Sequence, residues 1–222
     1  MLSTFFSLFR PRSRLRVGPT ATESDHQLAI TLLTGQIIEP SDVEFPPLGG
    51  DLDHRNQGTI LGAWDNDDLV AAAFVGPDVQ SARDAFMNGR PDYAGAFRQR
   101  IAVVHGIATD PERRQEGAAR TLLSAIDTLA TQQEYDVLIA VPTSNEAEQF
   151  FTQCGYLLFE DSVALMLQPK EAEVPITIPN TRRWAVRPLR DADRAQVRVG
   201  QALISPGTAT GEQPSIRCRW LT

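Results

Sequence analysis

The chain has 222 residues, a length that suits one large domain or one domain with an appendage. Its hydrophobic fraction of 42% can supply a buried core. The net charge of −7 and the isoelectric point near 5.0 argue against nucleic acid as the main partner, because phosphate binding requires a basic surface.

Cysteine usage and hydropathy narrow the class of protein further. Neither Cys154 nor Cys218 belongs to a CxxC pair, and the three histidines are scattered, so we expect no metal site. Two free thiols are typical of a reducing cytoplasm, and no segment is long enough to span a membrane. The apolar Met1–Phe9 is followed, not preceded, by arginines, unlike a secretory signal. We expect a flexible tail over residues 1–13, with a short amphipathic segment as the alternative.

The chain opens with a candidate strand and a helix. Leu15–Val17 is apolar enough for a short strand, and Thr22–Thr34 has apolar residues on one side with Thr22 or Ser24 as its cap. A loop rich in acidic, proline and glycine residues follows over Glu39–Arg55.

A hairpin and a long connection come next. Two apolar runs, Thr59–Trp64 and Leu69–Val75, flank four polar residues and predict a β-hairpin. Segment 76–100 is long for a connection, which is typical of a functional insertion or of disorder. We expect one short helix in it, over Val79–Met87. Its aromatic side chains form either a wall or lid of a ligand pocket or staples onto the core: Phe86, Tyr93 and Phe97.

The middle of the chain predicts a strand, a loop and a helix in direct succession. Ile101–Ala108 is almost continuously apolar, as buried strands are, and Asp110-Pro111 ends it. Gly117 precedes a helix with helical spacing of apolar residues that ends near Gln133. The unpaired N–H groups of such a helix start can bind an anion, and the glycine lets a ligand approach the backbone. The alternative is an ordinary connection between strand and helix.

The elements that follow predict a continued α/β arrangement. Asp136–Val141 is a second buried strand, and Ser144–Cys154 is a helix that ends at Gly155. Tyr156–Phe159 and Val163–Leu167 are expected to pair as closing strands. After a proline-rich linker over residues 169–180, we predict a strand at Trp184–Leu189, a helix over Asp191–Ile204 and a last strand over Ile216–Leu221.

This order of elements, together with one motif, resembles the GNAT superfamily of N-acetyltransferases. The acetyl-CoA signature of that family is Arg/Gln-x-x-Gly-x-Gly/Ala, and here it reads Arg114-Gln-Glu-Gly-Ala-Ala119, after a strand ending in Asp-Pro and before an amphipathic helix. A second match, Ala147–Tyr156, resembles the late helix of the family and its Gly-Phe/Tyr ending. The resemblance covers residues 14–168, and it is firm from Ile101 to Leu167.

The resemblance implies a fold and a cofactor site. The fold is α/β (α+β), with a mixed, mostly antiparallel central sheet flanked by helices and splayed between two parallel central strands. It implies that acetyl-CoA is the cosubstrate, with its pyrophosphate on the amides at the helix start and its pantetheine arm along the central strand. Asn145 is one position later than the usual family Asn, where this chain has Ser144. The implied CoA-binding residues are Ile107, Ala108, Thr109, Arg114, Gln115, Glu116, Gly117, Ala118, Ala119, Arg120, Asn145 and Phe150.

Catalytic residues follow less directly from the resemblance. The family commonly uses a Tyr of the late helix as acid, but Phe151 stands there and cannot donate a proton. Tyr156 is the remaining candidate for the acid. His105 is the candidate base, since it lies two residues before Ile107 on the central strand and should share its face. The alternatives are a hydrogen-bonded structural His and a carboxylate from the early loop, namely Asp42, Glu44, Asp51 or Asp53.

The C-terminal residues 181–222 give a fainter repeat of the same resemblance. Val186-Arg-Pro, followed after four residues by Asp193, resembles the opening strand and helix of another GNAT domain, so we expect a β-α-β extension. It is either a half-domain packed on the first or an arm that pairs with another subunit in a homodimer.

The resemblance therefore implies an enzyme of the acyltransferase class, which we expect to be cytoplasmic and bacterial. We expect direct transfer of acetyl from acetyl-CoA to an amine of a small molecule or peptide, without a metal. The alternative is a catalytically weak, GNAT-like module that binds acyl-CoA and acts as a sensor or assembly part, which the Phe151 substitution favours.

Overall fold

A computed structural model of the chain describes residues 15–36, 44–50, 57–87, 89, 91–159, 163–169, 174–176, 183–189, 195–205 and 215–220. The strands within these ranges are β1 (Arg16–Pro19), β2 (Thr59–Asp65), β3 (Asp68–Pro77), β4 (Ile101–Thr109), β5 (Val137–Ala140), β6 (Leu157–Phe159), β7 (Val163–Pro169), β8 (Val174–Ile176), β9 (Trp184–Pro188), β10 (Ala195–Ser205) and β11 (Ser215–Trp220). The α-helices are α1 (Glu23–Gln36), α2 (Val79–Met87), α3 (Pro91–Arg100), α4 (Ala118–Gln132) and α5 (Asn145–Gln153), and a 3₁₀ turn spans Pro111–Arg113. The tail expected over residues 1–13 lies outside the described residues.

A seven-stranded sheet in the order β1-β2-β3-β4-β5-β9-β6 forms the body of the molecule. Its neighbouring strands are antiparallel except for β4 and β5, which are parallel. The β4–β5 pairs cover only Ile101–Val104 against Val137–Ala140, while β4 continues to Thr109. The two strands therefore separate after Val104, which confirms the predicted mixed sheet with a splay between its parallel central strands.

The first elements form where local chemistry predicts them. The Thr22 hydroxyl oxygen accepts a hydrogen bond from the Asp25 N–H at 3.1 Å and caps α1, whose first turn carries Glu23 and Asp25. The β2–β3 hairpin turns at Asn66, which adopts a left-handed φ of 59° that asparagine tolerates better than most residues. Both elements confirm the prediction.

Helices cover the two faces of this sheet and enclose separate parts of the core. On one face α4 buries Leu122, Leu123 and Ile126, each at most 1% exposed, against β2, β3, β4 and β5. Burial of a side chain of this size stabilises a fold by about 1.5–3 kcal/mol. On the opposite face α1 packs on β3 through Phe74 and Ala72, and the α2–α3 pair packs on β4, β5 and β9.

Segment 76–100 is an ordered pair of helices. The predicted helix over Val79–Met87 is confirmed as α2, but α3 was not expected. Pro91 at the first position of α3 is a common helix start, because its missing N–H would be unpaired there anyway. The alanine and glycine residues between its aromatic side chains concealed the helical pattern.

The closing strands differ from the prediction. Leu157–Phe159 pairs with β9, not with Val163–Leu167, and β9 fills the position between β5 and β6. Trp184, Ala185 and Val186 are 6%, 0% and 1% exposed, so β9 has the continuous apolar run that a strand buried on both faces requires. The segment 163–169 forms β7 in a second, four-stranded sheet of order β11-β10-β7-β8.

The predicted C-terminal helix is wrong within the described residues. We predicted a helix over Asp191–Ile204, but strand β10 (Ala195–Ser205) occupies most of this segment. It is antiparallel to β7 and β11. Gln196-Val-Arg-Val199 alternates polar and β-branched residues, a period of two that favours a strand. Strand β8 forms within the segment expected to be a linker.

Candidate functional site

The central strand carries a β-bulge at His105. Phe74 of β3 pairs with Gly106 and Val75 pairs with Val104, so His105 is the extra residue on β4. The bulge lies directly after the last β4–β5 pair, where the two strands separate. Bulges often lie next to active sites because they redirect a side chain and end a pairing.

The bulge corrects the expected side-chain geometry of the strand. His105 and Ile107 were expected on one face, but the His105 ring stacks on Phe74, which belongs to the core under α1. Ile107 packs against the core under α4, on the other face. The extra residue shifts the alternation by one position, so the two side chains lie on opposite sides of the sheet.

The environment of His105 keeps its imidazole neutral. Its centroid lies 4.5 Å from that of Phe74, at an interplanar angle of 21°. Surrounding protein lowers the pKa of His105 to about 4 by desolvation, although part of the ring is exposed to solvent. Solvent access weakens this desolvation without reversing it, and a neutral ring nitrogen can accept a proton.

The loop after β4 is fixed by its own side chains and by the β2–β3 turn. The Asp110 carboxylate accepts a hydrogen bond from the Glu112 N–H at 3.0 Å and caps the 3₁₀ turn. The Arg113 guanidinium binds Asp65 at 2.6 Å and Glu116 at 2.8 Å, which joins the loop to the end of β2. Gln115 has a left-handed φ of 68°.

Gly117 opens α4 with its amides free of side-chain caps. Its φ is +90°, a conformation that L side chains rarely adopt, and a Cβ at this position would meet no atom within 4 Å. The first intrahelical backbone bond runs from the Thr121 N–H to the Gly117 carbonyl oxygen, so the N–H groups of Ala118, Ala119 and Arg120 precede the helical pattern. These donors, the positive end of the helix dipole and the open space fit a phosphate group.

The predicted CoA-binding side chains around this loop are accessible. Arg114, Gln115, Glu116 and Arg120 are exposed. The Arg114 guanidinium donates to the Gln36 amide oxygen at 3.2 Å and Arg120 to Gln153 at 3.4 Å, so the loop lies between the ends of α1 and α5.

Of the two polar residues at the start of α5, Ser144 is the helix cap and Asn145 is the first helical residue. The Ser144 hydroxyl oxygen accepts the Ala147 N–H at 3.2 Å and caps the helix, while Asn145 is exposed at its first position. Phe150 is half-buried against the α4 core, edge-on to Phe151. Asn145 is therefore accessible to a ligand, and Ser144, at the usual family position of the Asn, is occupied by capping.

Tyr156 lies in the core beside Asp127 of α4. It is 3% exposed, its hydroxyl donates to an Asp127 carboxylate oxygen at 3.4 Å, and its ring is edge-on to Phe151. Burial raises the pKa of Tyr156 strongly and the Asp127 charge adds to this, so the phenol keeps its proton. Arg187 of β9 binds Asp127 at 2.9 Å and the Cys154 carbonyl oxygen at 2.8 Å.

The remaining candidates are scattered. Phe97 is buried in the core beneath α3, Phe86 is 63% exposed, and the Tyr93 side chain is outside the described set. Glu44 is exposed, whereas Asp42, Asp51 and Asp53 lie outside the described residues. Phe97 therefore packs α3 onto the core, whereas the exposed Phe86 ring is accessible to a ligand.

Two supporting residues escaped the sequence prediction. Phe74 provides the face on which His105 stacks, and Arg113 anchors the loop through Asp65. Because Arg113 directly precedes the signature motif, the sequence indicates that it lies in the loop. Its partner Asp65 lies at a distant turn, and their proximity follows only from the pairing of β3 with β4.

The described ranges contain neither a cluster of metal-binding side chains nor a helix that could span a membrane. No cluster of three or more His, Cys, Asp or Glu side chains suitable for a metal occurs there. None of the described helices combines the length and hydropathy needed to cross a bilayer.

Comparison with known proteins shows the family of the chain. The model of the acetyltransferase (GNAT) family matches residues 29–156. No curated protein matches the sequence. Among solved structures, the N-acyl amino acid synthase FeeM from uncultured soil microbes is 15% identical over 79% of this chain and 91% of its own, with a TM-score of 0.52.

Two further solved structures have a similar coverage. An acetyltransferase from Streptococcus agalactiae is 13% identical, with 79% and 98% of the two chains covered and a TM-score of 0.48. A GNAT family acetyltransferase from Elizabethkingia anophelis, solved with acetyl-CoA bound, is 12% identical, with coverage of 79% and 98% and a TM-score of 0.45. Since the family model covers more than half of the chain, the protein belongs to the GNAT family of acetyltransferases.

Proposed function

We propose that the protein is an acetyl-CoA-dependent N-acetyltransferase that acetylates an amine of a small molecule or peptide. The observation that carries this proposal is the open amide cradle at Gly117, at the end of a central strand that has separated from its parallel neighbour. Membership of the GNAT family supports the same cosubstrate.

The backbone provides most of the proposed cosubstrate site. The N–H groups of Ala118, Ala119 and Arg120 would hold the pyrophosphate, with the exposed Arg114 adding positive charge. Beyond Val104, β4 has no β5 partner, so the backbone around Ile107 and Thr109 can bond an extended pantetheine arm. Asn145 and Phe150 would border that arm from α5. When bound, acetyl-CoA supplies the thioester whose acetyl group passes to the amine.

His105 is the proposed proton acceptor. The attacking amine must lose one proton as its nitrogen forms the new bond to the carbonyl carbon and the carbon–sulfur bond breaks. His105 is neutral at pH 7 and accessible to solvent, so it can take this proton directly or through a water molecule. Its lowered pKa makes it a weak base, which favours amines that arrive already neutral.

Tyr156 is the proposed donor of the proton that the departing sulfur requires. Its raised pKa keeps the phenol protonated but also makes it a weaker proton donor, and the hydroxyl is buried and bound to Asp127. Replacement of Tyr156 by Phe decides between this role and a packing role. A fall in turnover at unchanged CoA affinity and unchanged stability supports the acid, and unchanged turnover removes Tyr156 from the mechanism.

One pair of assays tests the proposed function. Calorimetry with acetyl-CoA measures binding, and thiol release with a panel of primary amines measures transfer. We expect saturable binding together with thiol release that depends on an amine. Binding without amine-dependent release by any member of a broad panel would contradict the enzymatic role, and absence of binding would contradict the cosubstrate.

A further inference from the structure

A pocket lies between α2 and α3, in the segment that joins β3 to β4. Its volume is about 420 Å³, within the range of small-molecule sites. The lining residues are Ala82, Phe86, Pro91, Ala94, Gly95 and Arg98. Phe86 is 63% exposed although it lines the pocket, so a bound apolar group would cover its ring.

Arg98 is the charged group among these lining residues. Its Nε atom is buried and has no hydrogen-bond partner, and no ion pair to Arg98 occurs in the part of the chain that the structure describes. Two residues further on, Arg100 binds Asp136 at 3.0 Å. A ligand carboxylate in the pocket can pair with the guanidinium of this half-buried side chain.

The pocket lies on the same side of the sheet as His105. Ala82 and Ala94 pack into the core that contains Ile101 and Val103 of β4. His105 follows Val103 by two residues on this face, a distance of about 7 Å along the strand. The pocket and His105 therefore lie on the same side of the sheet, beside the point where the β4–β5 pairing ends.

We propose that this pocket binds the acceptor by an apolar group and a carboxylate, so that the acceptors are amines of the hydrophobic amino acid class. The carboxylate pairs with the Arg98 guanidinium, and the apolar group lies on Phe86 and the small residues around it. Planar guanidinium and carboxylate groups match in a two-bond arrangement, which makes arginine selective for this group. The assignment of the ligand as acceptor rests on the proposed function, whereas the carboxylate site itself does not.

Matched ligands test the pocket without catalysis. Heteronuclear NMR titrations of the full chain, with and without CoA, would compare L-phenylalanine, 3-phenylpropionate and 2-phenylethylamine. We expect the two carboxylates to bind at least about tenfold more tightly than the amine that lacks one. The same titrations on Arg98→Gln should show no preference for the two carboxylates over the amine. Arg83→Gln, an exposed arginine of α2 outside the lining, is the control and should keep it.

Each result bears on one claim. Equal affinity for all three probes in the native chain, or a preference that persists in Arg98→Gln, would overturn the carboxylate site. Tighter binding of octanoyl-CoA than acetyl-CoA that is lost in Phe86→Ala, without carboxylate binding, would assign the pocket to an acyl chain and also overturn it. A separate CoA titration reports on the proposed function. Retained CoA affinity in Arg98→Gln shows that this variant is folded, so failure of the two claims can be told apart.

Discussion

His105 occupies the extra position of the bulge in β4, with one ring face on Phe74 and part of the residue accessible to solvent. The bulge ends the pairing with β5 at the same point, so the side chain and the gap between the strands are created together. Removing the extra residue would restore regular alternation and turn this position away from Phe74.

The lowered pKa of His105 has a measurable consequence. We expect the pKa of its ring to lie at about 4, against the ordinary value of 6.5, because desolvation disfavours the charged form. Because the unfolded chain binds this proton more readily than the folded chain does, protonation of His105 favours unfolding. The resulting loss of stability begins below about pH 6.5 and increases as the pH falls toward 4. An NMR pH titration of the three histidines, with His105→Ala for assignment, measures the value. A midpoint at or above 6.5 would contradict the account.

Loss of the His105 side chain should separate turnover from binding. We expect His105→Ala to lower kcat by about 10²-fold, the lower end for general base catalysis, since a base with a low pKa accelerates less. The acetyl-CoA affinity should stay within about twofold, because the cradle is made of backbone groups. Thiol release and calorimetry on the same preparation give both quantities. Native turnover in His105→Ala would exclude His105 from the mechanism.

At the residue scale, the features that could be predicted from the sequence are those with a local cause. The cradle at Gly117 is a continuous stretch, and its glycine, polar loop and following helix are legible in the sequence. The orientation of His105 depends on the register between β3 and β4, which joins distant segments, so the bulge and the stacking on Phe74 were missed.

Among the elements, β9 is tied to α4 and α5 by one arginine. Arg187 binds the Asp127 carboxylate and the Cys154 carbonyl oxygen, and it lies over the Tyr156 ring at 5.8 Å from the centroid. A Cβ on Gly155 would lie 2.8 Å from its guanidinium, so the glycine, at a φ of +85°, also makes room for it.

Replacement of Arg187 should therefore destabilise the whole domain. We expect Arg187→Leu to lower the free energy of unfolding by about 2 kcal/mol, since hydrogen bonds to charged groups contribute about 1.5–3 kcal/mol each and solvent screening reduces the total. Arg183→Leu, one residue before the start of β9, is the control. Its pairing with Glu148 is more exposed, with the Arg183 side chain at 48%, and should cost less than about 1 kcal/mol. An equal loss of unfolding free energy in Arg187→Leu and Arg183→Leu, measured by urea denaturation, would refute the special role of Arg187.

Prediction of the elements follows the strength of their local pattern. The hairpin, β4, α4, β5 and α5 have clear periodicity with turn or capping residues, and all five form as expected. Strand pairing is the part that failed, because Val163–Leu167 and Trp184–Val186 are both apolar runs able to fill the position beside β6. Local propensity cannot choose between two such segments.

For the whole molecule, the position of β9 makes the expected domain boundary at residue 168 testable. A chain ending at residue 180 lacks β9 and would expose the edges of β5 and β6, whereas a chain ending at residue 190 keeps the seven-stranded sheet. We expect the shorter chain to lose cooperative thermal unfolding and the longer one to retain it. Circular dichroism melts of both compare them directly. A cooperative, CoA-binding 1–180 chain would mean that another segment fills the position of β9.

The central claim is that the amides at the start of α4 hold the pyrophosphate of CoA. Calorimetric titration of acetyl-CoA into the native chain, Gly117→Gln and Gly117→Glu tests it most directly. Both variants carry a side chain of similar size with the same left-handed φ, so backbone strain is matched and only the charge differs. We predict that Gln weakens binding and that Glu abolishes it, by occupying the phosphate position with a like charge. Native affinity in Gly117→Glu would contradict the assignment of the site.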